Sequence, residues 1–532
     1  MQQFGRQFST RQTSQAQPIP GKPMTKNSAG GYSFEIDKWE QLRRFLVLGT
    51  EGGTYYVGQS KLTRENCKAV AACIAEDGDR TVGIITAISE AGRAPKNDPA
   101  LFALALCTSP DLADERTRSL AYAALPRVAR IGTHLFHFAE YRKAVAGWGA
   151  GMRKAVQGWY LNREPDQVAY QAVKYRQRDG WSHRDLLRKA HPKATDPAMN
   201  AVFKYIVSGT PQGELPRIIE GFERAQAETD AKSLAGLVRD YGLTWEMIPT
   251  EMHEHKQVWD ALLDKMPMGA LVRQLPRLTR LGLVKSMGAR TAEVCDRLAD
   301  EGQLCKARIH PIQVLAALLT YASGHSTRGS SEWVPVTKVV DALDAAFYAS
   351  FGNVEPTGKR IMLCLDVSGS MSGGWGGAAL CGVPGLSARM ASSAMALITA
   401  NVEADYCIMA FTHGFVPLQI SPNQRLDDVC HTTERLPFDR TDCAVPMLWA
   451  IQEDLEVDAF IVYTDSETWA GNIHPVQALQ RYRQKTGINA KSVVVGMESN
   501  GFTIADPDDA GMLDVVGFDT ATPNAISSFV RG

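Results

Sequence analysis

Two hydrophobic rhythms divide the chain. From about Ser33 to Ser350 apolar residues recur at helical spacing and hardly a strand is visible. Trp39, Leu42, Phe45 and Leu46 form one stripe, and Ile312, Leu315, Ala316 and Leu319 form another behind Pro311, a residue suited to a first helical position. Leu101 to Leu106 is apolar throughout, which predicts a helix buried on all sides. Asp111 in Asp-Leu-Ala-Asp-Glu115 and Thr133 are expected helix caps. Breakers recur at Pro110, Gly132, Pro165, Pro192, Pro211, Pro249 and Pro267. The pattern predicts a dozen or more short helices with short links, an α-solenoid of helix pairs. From Lys359 the rhythm changes. Apolar runs at 361–365, 406–411, 460–463, 492–495 and 515–518 alternate with helical segments after Ser387, Val445 and His474. Buried-type runs alternating with helices predict a doubly wound parallel sheet. Residues 1–31, rich in Gln, Ser, Thr, Gly and Pro without periodicity, are expected to be flexible. The fold class is therefore mainly α with one α/β domain, divided as 1–31, 32–355 and 356–532.

Composition changes the picture little. A chain of 532 residues with 45% hydrophobic and 22% charged residues is that of a soluble globular protein too long for one core. No run approaches a membrane span, and the first residues lack the apolar core of a secretory signal. The ten cysteines are scattered without a Cys-x-x-Cys pair, which predicts a reduced, cytoplasmic protein without a zinc site. Charge adds more. The net charge of −1 hides 46 Lys and Arg against 37 Asp and Glu in residues 1–350, and 11 against 21 in the remainder. A basic half joined to an acidic half predicts that the first half faces an anion.

Candidate chemistry begins at Asp366-Val-Ser-Gly-Ser370, directly after the apolar run Ile361–Leu365. Asp366, Ser368 and Ser370 alternate on a tight loop and can aim three oxygens at one point. Hard oxygen donors with few charges suit Mg²⁺. Thr441 and Asp465 are expected to add two more, Asp465 from the end of another apolar run. The carboxyl edge of such a sheet is where ligands bind. The plainer account is a turn whose side chains bond only backbone. This set resembles the metal-ion-dependent adhesion site of von Willebrand factor A domains, which implies an open coordination position for a partner's carboxylate. Phe438-Asp-Arg-Thr441 departs from that pattern in lacking small glycines before the Thr.

Positive charge collects in residues 151–193, where ten Lys and Arg face four acids. Val168, Ala169, Ala172 and Val173 make the apolar face of a helix beginning near Asp166, with Gln171, Lys174 and Arg178 on another face and Gly180 at its end. Ser182-His-Arg-Asp185 opens the next helix as a capping box, closed by His191-Pro192. Lys174, Arg178, Arg184, Arg188 and His191 are thus expected on one compact surface, with Tyr175 and Trp181 as base platforms. The competing account is a solvated face whose cations complement a helix terminus.

The order of these elements carries a second resemblance. Val173-Lys-Tyr-Arg-Gln-Arg-Asp-Gly-Trp-Ser-His-Arg-Asp-Leu-Leu-Arg188, then Arg308-Ile-His-Pro311, Pro356-Thr-Gly-Lys, Asp366-Val-Ser, Thr441-Asp-Cys-Ala and Val462-Tyr-Thr-Asp-Ser-Glu467 resemble the Ro ribonucleoprotein autoantigen family, the family of the TROVE module, in its bacterial members. The resemblance runs from about Trp39 onward. It implies a ring-like α-solenoid of HEAT-like repeats closed by a Rossmann-like von Willebrand factor A domain. It implies small noncoding Y RNA on an outer basic face, with Lys174, Arg178 and His191 at the contacting positions. It implies misfolded or immature RNAs whose single-stranded 3′ ends enter a central hole, and pairing through Y RNA with an exoribonuclease such as polynucleotide phosphorylase. A monomer is expected.

Two other classes compete. Asp366-x-x-x-Ser370 after a strand resembles Asp-nucleophile phosphotransferases, but Ser368 stands where their general-acid Asp belongs. A metal-dependent protein-adhesion scaffold without RNA is the other. Copurifying nucleic acid separates the RNA reading from it.

Overall fold

The computed structural model describes residues 12–35, 37–48, 67–92, 96–307, 309–326, 330–367, 371, 383–416, 418–436, 440–466, 468–496, 502–516 and 522–531. These fall into two compact units, one drawn from 1–57, 310–319 and 350–532, the other from 58–309 and 320–349.

The second unit is helical. Helices Gly78–Glu90, Asp98–Leu106, Glu115–Val128, Gly132–Ala146, Ala150–Leu161 and His183–Ala190 pack largely on their next-but-one neighbours. Thus 78–90 meets 115–128, 98–106 meets 132–146, and 150–161 meets 183–190. Next-but-one packing is what a stack of helix pairs produces, as the breaker spacing predicted. The 98–106 helix is buried along its length after its first residue, in keeping with its unbroken apolar sequence. Two caps differ from expectation. Asp114, not Asp111, caps the next helix by accepting from the Thr117 N–H at 2.7 Å. Thr133 is already the second helical residue, and Gln171 Oε1 reaches across to take the Gly132 N–H at 2.8 Å.

The first unit holds the α/β sheet. The strands of the chain are β1 (Met24–Lys26), β2 (Tyr32–Glu35), β3 (Gln177–Arg178), β4 (Trp181–Ser182), β5 (Ile361–Asp366), β6 (Tyr406–Phe411), β7 (Phe415–Val416), β8 (Ala459–Thr464), β9 (Lys491–Gly496), β10 (Phe502–Thr503) and β11 (Met512–Val516). Six of them form one sheet in the order β11-β9-β8-β5-β6-β7, parallel except for β7. Helices Ala388–Val402, Val445–Gln452 and Pro475–Thr486 connect it where the sequence placed them. Both β5 and β8 are buried at every residue, which explains their continuous apolar runs. The strand order reverses between β5 and β8, so their carboxyl ends frame the crevice where such sheets bind ligands.

The amino-terminal segment is a correction. Residues 1–11 lie outside the described residues, but 12–31 are built into the first unit rather than flexible. β1 pairs with β2, and β2 pairs with β10 near the other end of the chain. Phe34 joins the core with Met362, Phe411 and Phe460. Gly31 lies so close to the 468–469 backbone that a Cβ there would stand 2.0 Å from the Thr468 carbonyl oxygen. The helix Lys38–Leu48 also belongs to this unit, where Arg44 pairs with Asp514. The first unit thus takes in residues on both sides of position 32.

Candidate functional site

The basic segment has a different backbone from the one its spacing suggested. The helix Pro165–Lys174 stops at Lys174, and residues 177–182 form a two-stranded hairpin, with Arg178 opposite Trp181. Asp179 and Gly180 at its tip both take positive φ, 51° and 75°. An Asp-Gly pair of that kind is a tight hairpin turn. Arg178 therefore does not share a helix face with Gln171 and Lys174. The Asp179 carboxylate is fastened to His137, which approaches Asp98 at 3.7 Å with its other nitrogen.

The capping box is as expected: Ser182 Oγ accepts from the Asp185 N–H, and Asp185 Oδ2 accepts from the Ser182 N–H at 3.0 Å. His191 ends the helix His183–Ala190 in the left-handed conformation. Gln157 holds that end by donating to the Ala190 carbonyl at 2.6 Å. Beneath it, His183 is buried against Phe136 and hydrogen-bonds with the Tyr160 hydroxyl at 2.7 Å. Burial pushes its pKa down to about 3, so the ring is neutral.

The five cations differ in their surroundings. Arg178, Arg184, Arg188 and His191 are exposed. Arg178 lies 3.9 Å from Asp179, its neighbour. Lys174 is half-buried: it donates to the Tyr170 hydroxyl at 3.0 Å, lies 3.9 Å from Glu246 and sits over the rings of Tyr170 and Tyr175. Burial opposes its charge, but the Tyr170 hydroxyl and Glu246 outweigh that and raise its pKa above the usual lysine range. Lys174 is thus already engaged within the fold.

Sequence reasoning missed the neighbouring cavity. About 450 Å³ in volume, it is lined by Glu140, Lys143, Trp148, Trp181, Asp185 and Lys189 with the hairpin tip. Trp181, expected as a platform, is only 6% exposed and stacks on Trp148, with centroids 5.7 Å apart and 21° between planes. The signal was Gly147-Trp148-Gly149, a large aromatic between two glycines in a helix link.

At the sheet edge, the structure brings Asp366, Thr441 and Asp465 to the same end. Asp366 closes β5 level with Phe411 of β6, and Asp465 follows β8. The Thr464 hydroxyl donates to Asp366 Oδ2 at 2.7 Å. Thr441 precedes Asp442, whose N–H donates to the Thr412 carbonyl just past β6 at 2.8 Å. All three side chains are buried. Arg389 lies nearby and donates to the Val367 carbonyl at 3.3 Å. Ser368 and Ser370 lie outside the described residues. Among the described residues no cluster of three His, Cys, Asp or Glu side chains is placed to hold a metal, so a cation here would depend on hydroxyls as well as carboxylates. Two buried carboxylates and a hydroxyl at one edge of the sheet have the donor chemistry that suits a hard cation such as Mg²⁺.

Two family models match the chain. A TROVE domain covers residues 25–232 and 240–320, and a Ro60 vWA domain covers 360–530. The "RNA-binding protein RO60" of Deinococcus radiodurans is 44% identical over 95% of both chains. That of Caenorhabditis elegans is 34% identical over 95% of this chain and 90% of its own. The crystal structure of the D. radiodurans RO (RSR) protein superposes with a TM-score of 0.77 at 43% identity, over 93% of this chain and all of that one.

Proposed function

Because the chain belongs to the Ro60 family of RNA-binding proteins, as a bacterial Ro orthologue with a TROVE domain followed by a Ro60-type vWA domain, we propose that the exposed cations of the hairpin and the following helix form its face for Y RNA. The observation that carries this reading is the cluster itself. Arg178, Arg184, Arg188 and His191 stand exposed on elements that Asp179, Asp185 and Gln157 hold in place. Cations on a fixed scaffold neutralise phosphates without having to be ordered first. Lys174 contributes at the margin of this face, since Tyr170 and Glu246 already engage it.

The protein binds RNA and is not an enzyme, in keeping with relatives described as RNA-binding proteins. Single-stranded 3′ ends of misfolded or immature RNAs are a second ligand, taken at the ring hole that the family resemblance implies. The complex works in RNA quality control, as a cytoplasmic monomer that reaches an exoribonuclease of the polynucleotide phosphorylase type through Y RNA. Among the described residues no helix is long and apolar enough to cross a membrane. Asp366, Thr441 and Asp465, with Ser368 and Ser370, hold a divalent cation of the Mg²⁺ type, whose chemistry is to accept a carboxylate from a protein partner.

Ultraviolet crosslinking of bound Y RNA, followed by sequencing of the linked peptides, tests the main proposal. Crosslinks concentrated in residues 176–193 support it. Crosslinks confined to the sheet-bearing unit would overturn it in favour of another RNA face.

A further inference from the structure

The cavity beside the hairpin has the composition of a nucleobase site. Its floor is the stacked pair Trp148 and Trp181. Two ammonium groups lie over these rings: Lys189 stands 5.6 Å from the Trp148 centroid and 6.0 Å from that of Trp181, and Lys143 stands 5.9 Å from Trp181. Both tryptophans are held in place. Trp181 Nε1 donates to Glu140 Oε2 at 2.8 Å. Arg142, itself buried, donates to the Gly147 carbonyl at 2.8 Å and to the Tyr122 hydroxyl at 3.0 Å, fixing the loop that carries Trp148. The volume of about 450 Å³ falls within the roughly 300–1,000 Å³ of small-ligand sites.

Charge selects among aromatic-loving ligands. A cage for a cationic side chain would leave its ring faces to the ligand's own charge, whereas here two lysines already occupy those faces. An aromatic ligand tethered to anions suits the arrangement better: its ring stacks on Trp148 while Lys143 and Lys189 move to the phosphates on either side. Lysine is a flexible point charge able to make that move. Three carboxylates also line the cavity, and each is engaged within the fold: Glu140 is bonded to Trp181 and lies 3.6 Å from Lys143, Asp179 is fastened to His137, and Asp185 caps the helix that follows.

We propose that this cavity receives one unpaired nucleobase of the RNA bound on the adjacent cationic face, stacked against Trp148. The inference rests on that face being the RNA surface, and it adds a second kind of contact to it. Phosphate contacts there position the RNA, whereas a stacking site requires a single-stranded nucleotide at a fixed distance from them.

The probe is a single-stranded RNA hexamer, compared with the same hexamer carrying one abasic nucleotide at each position in turn, on the full-length protein. Binding is read by fluorescence anisotropy for wild type, Trp148→Ala, Trp148→Phe and the double variant Arg184→Ala/Arg188→Ala. Trp148→Ala is expected to weaken the hexamer roughly five- to 100-fold, with Trp148→Phe recovering most of the loss. One abasic position should reproduce the loss in wild type and add nothing in Trp148→Ala. An unchanged thermal midpoint shows that the half-buried Trp148 is not needed for folding. Hexamer binding that ignores Trp148→Ala but falls in the double arginine variant overturns the pocket and leaves the RNA face standing. Loss in Trp148→Ala with no effect of the arginines keeps the pocket and removes the face. Equal loss with every abasic hexamer, or none with any, would also reject a base-specific cavity, the latter pointing to a peptide side chain as its occupant.

Discussion

The side-chain amide of Gln15 donates to Asp442 Oδ1 at 2.6 Å, although 427 residues of chain separate them. The same amide donates to the Ile473 carbonyl at 2.9 Å, and its oxygen accepts from the Thr468 hydroxyl and from the Gly471 N–H. Asn27 and Ser33 continue the connection, bonding the carbonyls of Thr468 and Ser466. Ser466, in the left-handed conformation, directly follows Asp465. The amino-terminal segment thus braces the loop that carries one of the candidate metal ligands.

Gln15→Ala should destabilise the sheet-bearing unit by about 2 kcal/mol or more, because it strands several buried polar partners at once. Burial already pushes the Asp442 carboxyl up, against the Ala444 N–H and the Gln15 amide. Removing Gln15 raises it further. Urea denaturation of the two proteins checks this, and a difference below about 0.5 kcal/mol would show that water replaces Gln15 without penalty.

Arg178→Ala combined with Arg188→Ala should flatten the slope of log affinity for Y RNA against log salt by roughly one to two units. Both side chains are exposed, so stability should stay within about 0.5 kcal/mol of wild type. Titrations at three salt concentrations decide the matter. Parallel lines would make this surface a solvated one.

Lys174→Ala is expected to behave differently from its exposed neighbours. It removes a half-buried ammonium from Tyr170 and Glu246 and should cost on the order of 1 kcal/mol of stability in the helical unit. Its effect on the salt slope should be the smaller one. A stability-neutral Lys174→Ala with a full unit of slope change would place this lysine with the phosphate contacts instead.

His183 should make the helical unit sensitive to acid. Its folded-state pKa of about 3 lies below the ordinary 6.5, so unfolding takes up a proton between those values. The stabilisation is complete above about pH 6.5 and is lost as pH falls toward 3, at about 1.4 kcal/mol per pH unit. His134, pushed down to about 4 by burial and by Arg130, acts in the same direction. In His183→Gln, the stability lost between pH 7 and pH 5 should shrink by about 2 kcal/mol. Identical losses in both proteins would assign the acid sensitivity to other groups.

Asp366→Ala should abolish Mg²⁺ binding, read by isothermal titration or by Mn²⁺ relaxation, while leaving RNA affinity unchanged. The acidic carboxyl-terminal part of the chain, with 11 cations against 21 anions in residues 351–532, repels phosphate rather than attracting it. A tenfold loss of RNA affinity in the folded variant would refute this separation of roles.

Much of the architecture was readable because local and tertiary preferences agreed. The runs of β5 and β8 are apolar because both faces of the sheet are covered, and Ser387 caps the helix that starts beside it. The same agreement placed Asp366 and Asp465 at one edge. Arg178 was misplaced because helical spacing from Val168 onward masked a hairpin signal, the Asp179-Gly180 pair, standing in the same stretch. The amino-terminal segment was misread for a different reason. Gln15, Asn27 and Ser33 look like solvent-loving residues, and the partners that bury them lie more than 400 positions away. No window along the sequence contains both halves of those bonds. Trp148 was overlooked because its significance lies in its stacking on Trp181, far along the chain, not in a period.

The pairing of β2 with β10 has a consequence for how the protein is made. Thr503 is the partner of Phe34, and the whole helical unit is translated between them. At a synthesis rate of about 5–20 residues per second, the first strand leaves the ribosome roughly half a minute to a minute and a half before its partner exists. During that interval β2 lacks its β10 partner, and Phe34 has no native covering until Met362, Phe411 and Phe460 are made, while the helical unit can fold from local contacts alone. A nascent chain in this state should be bound by holding chaperones, with release on completion of the carboxyl-terminal sheet.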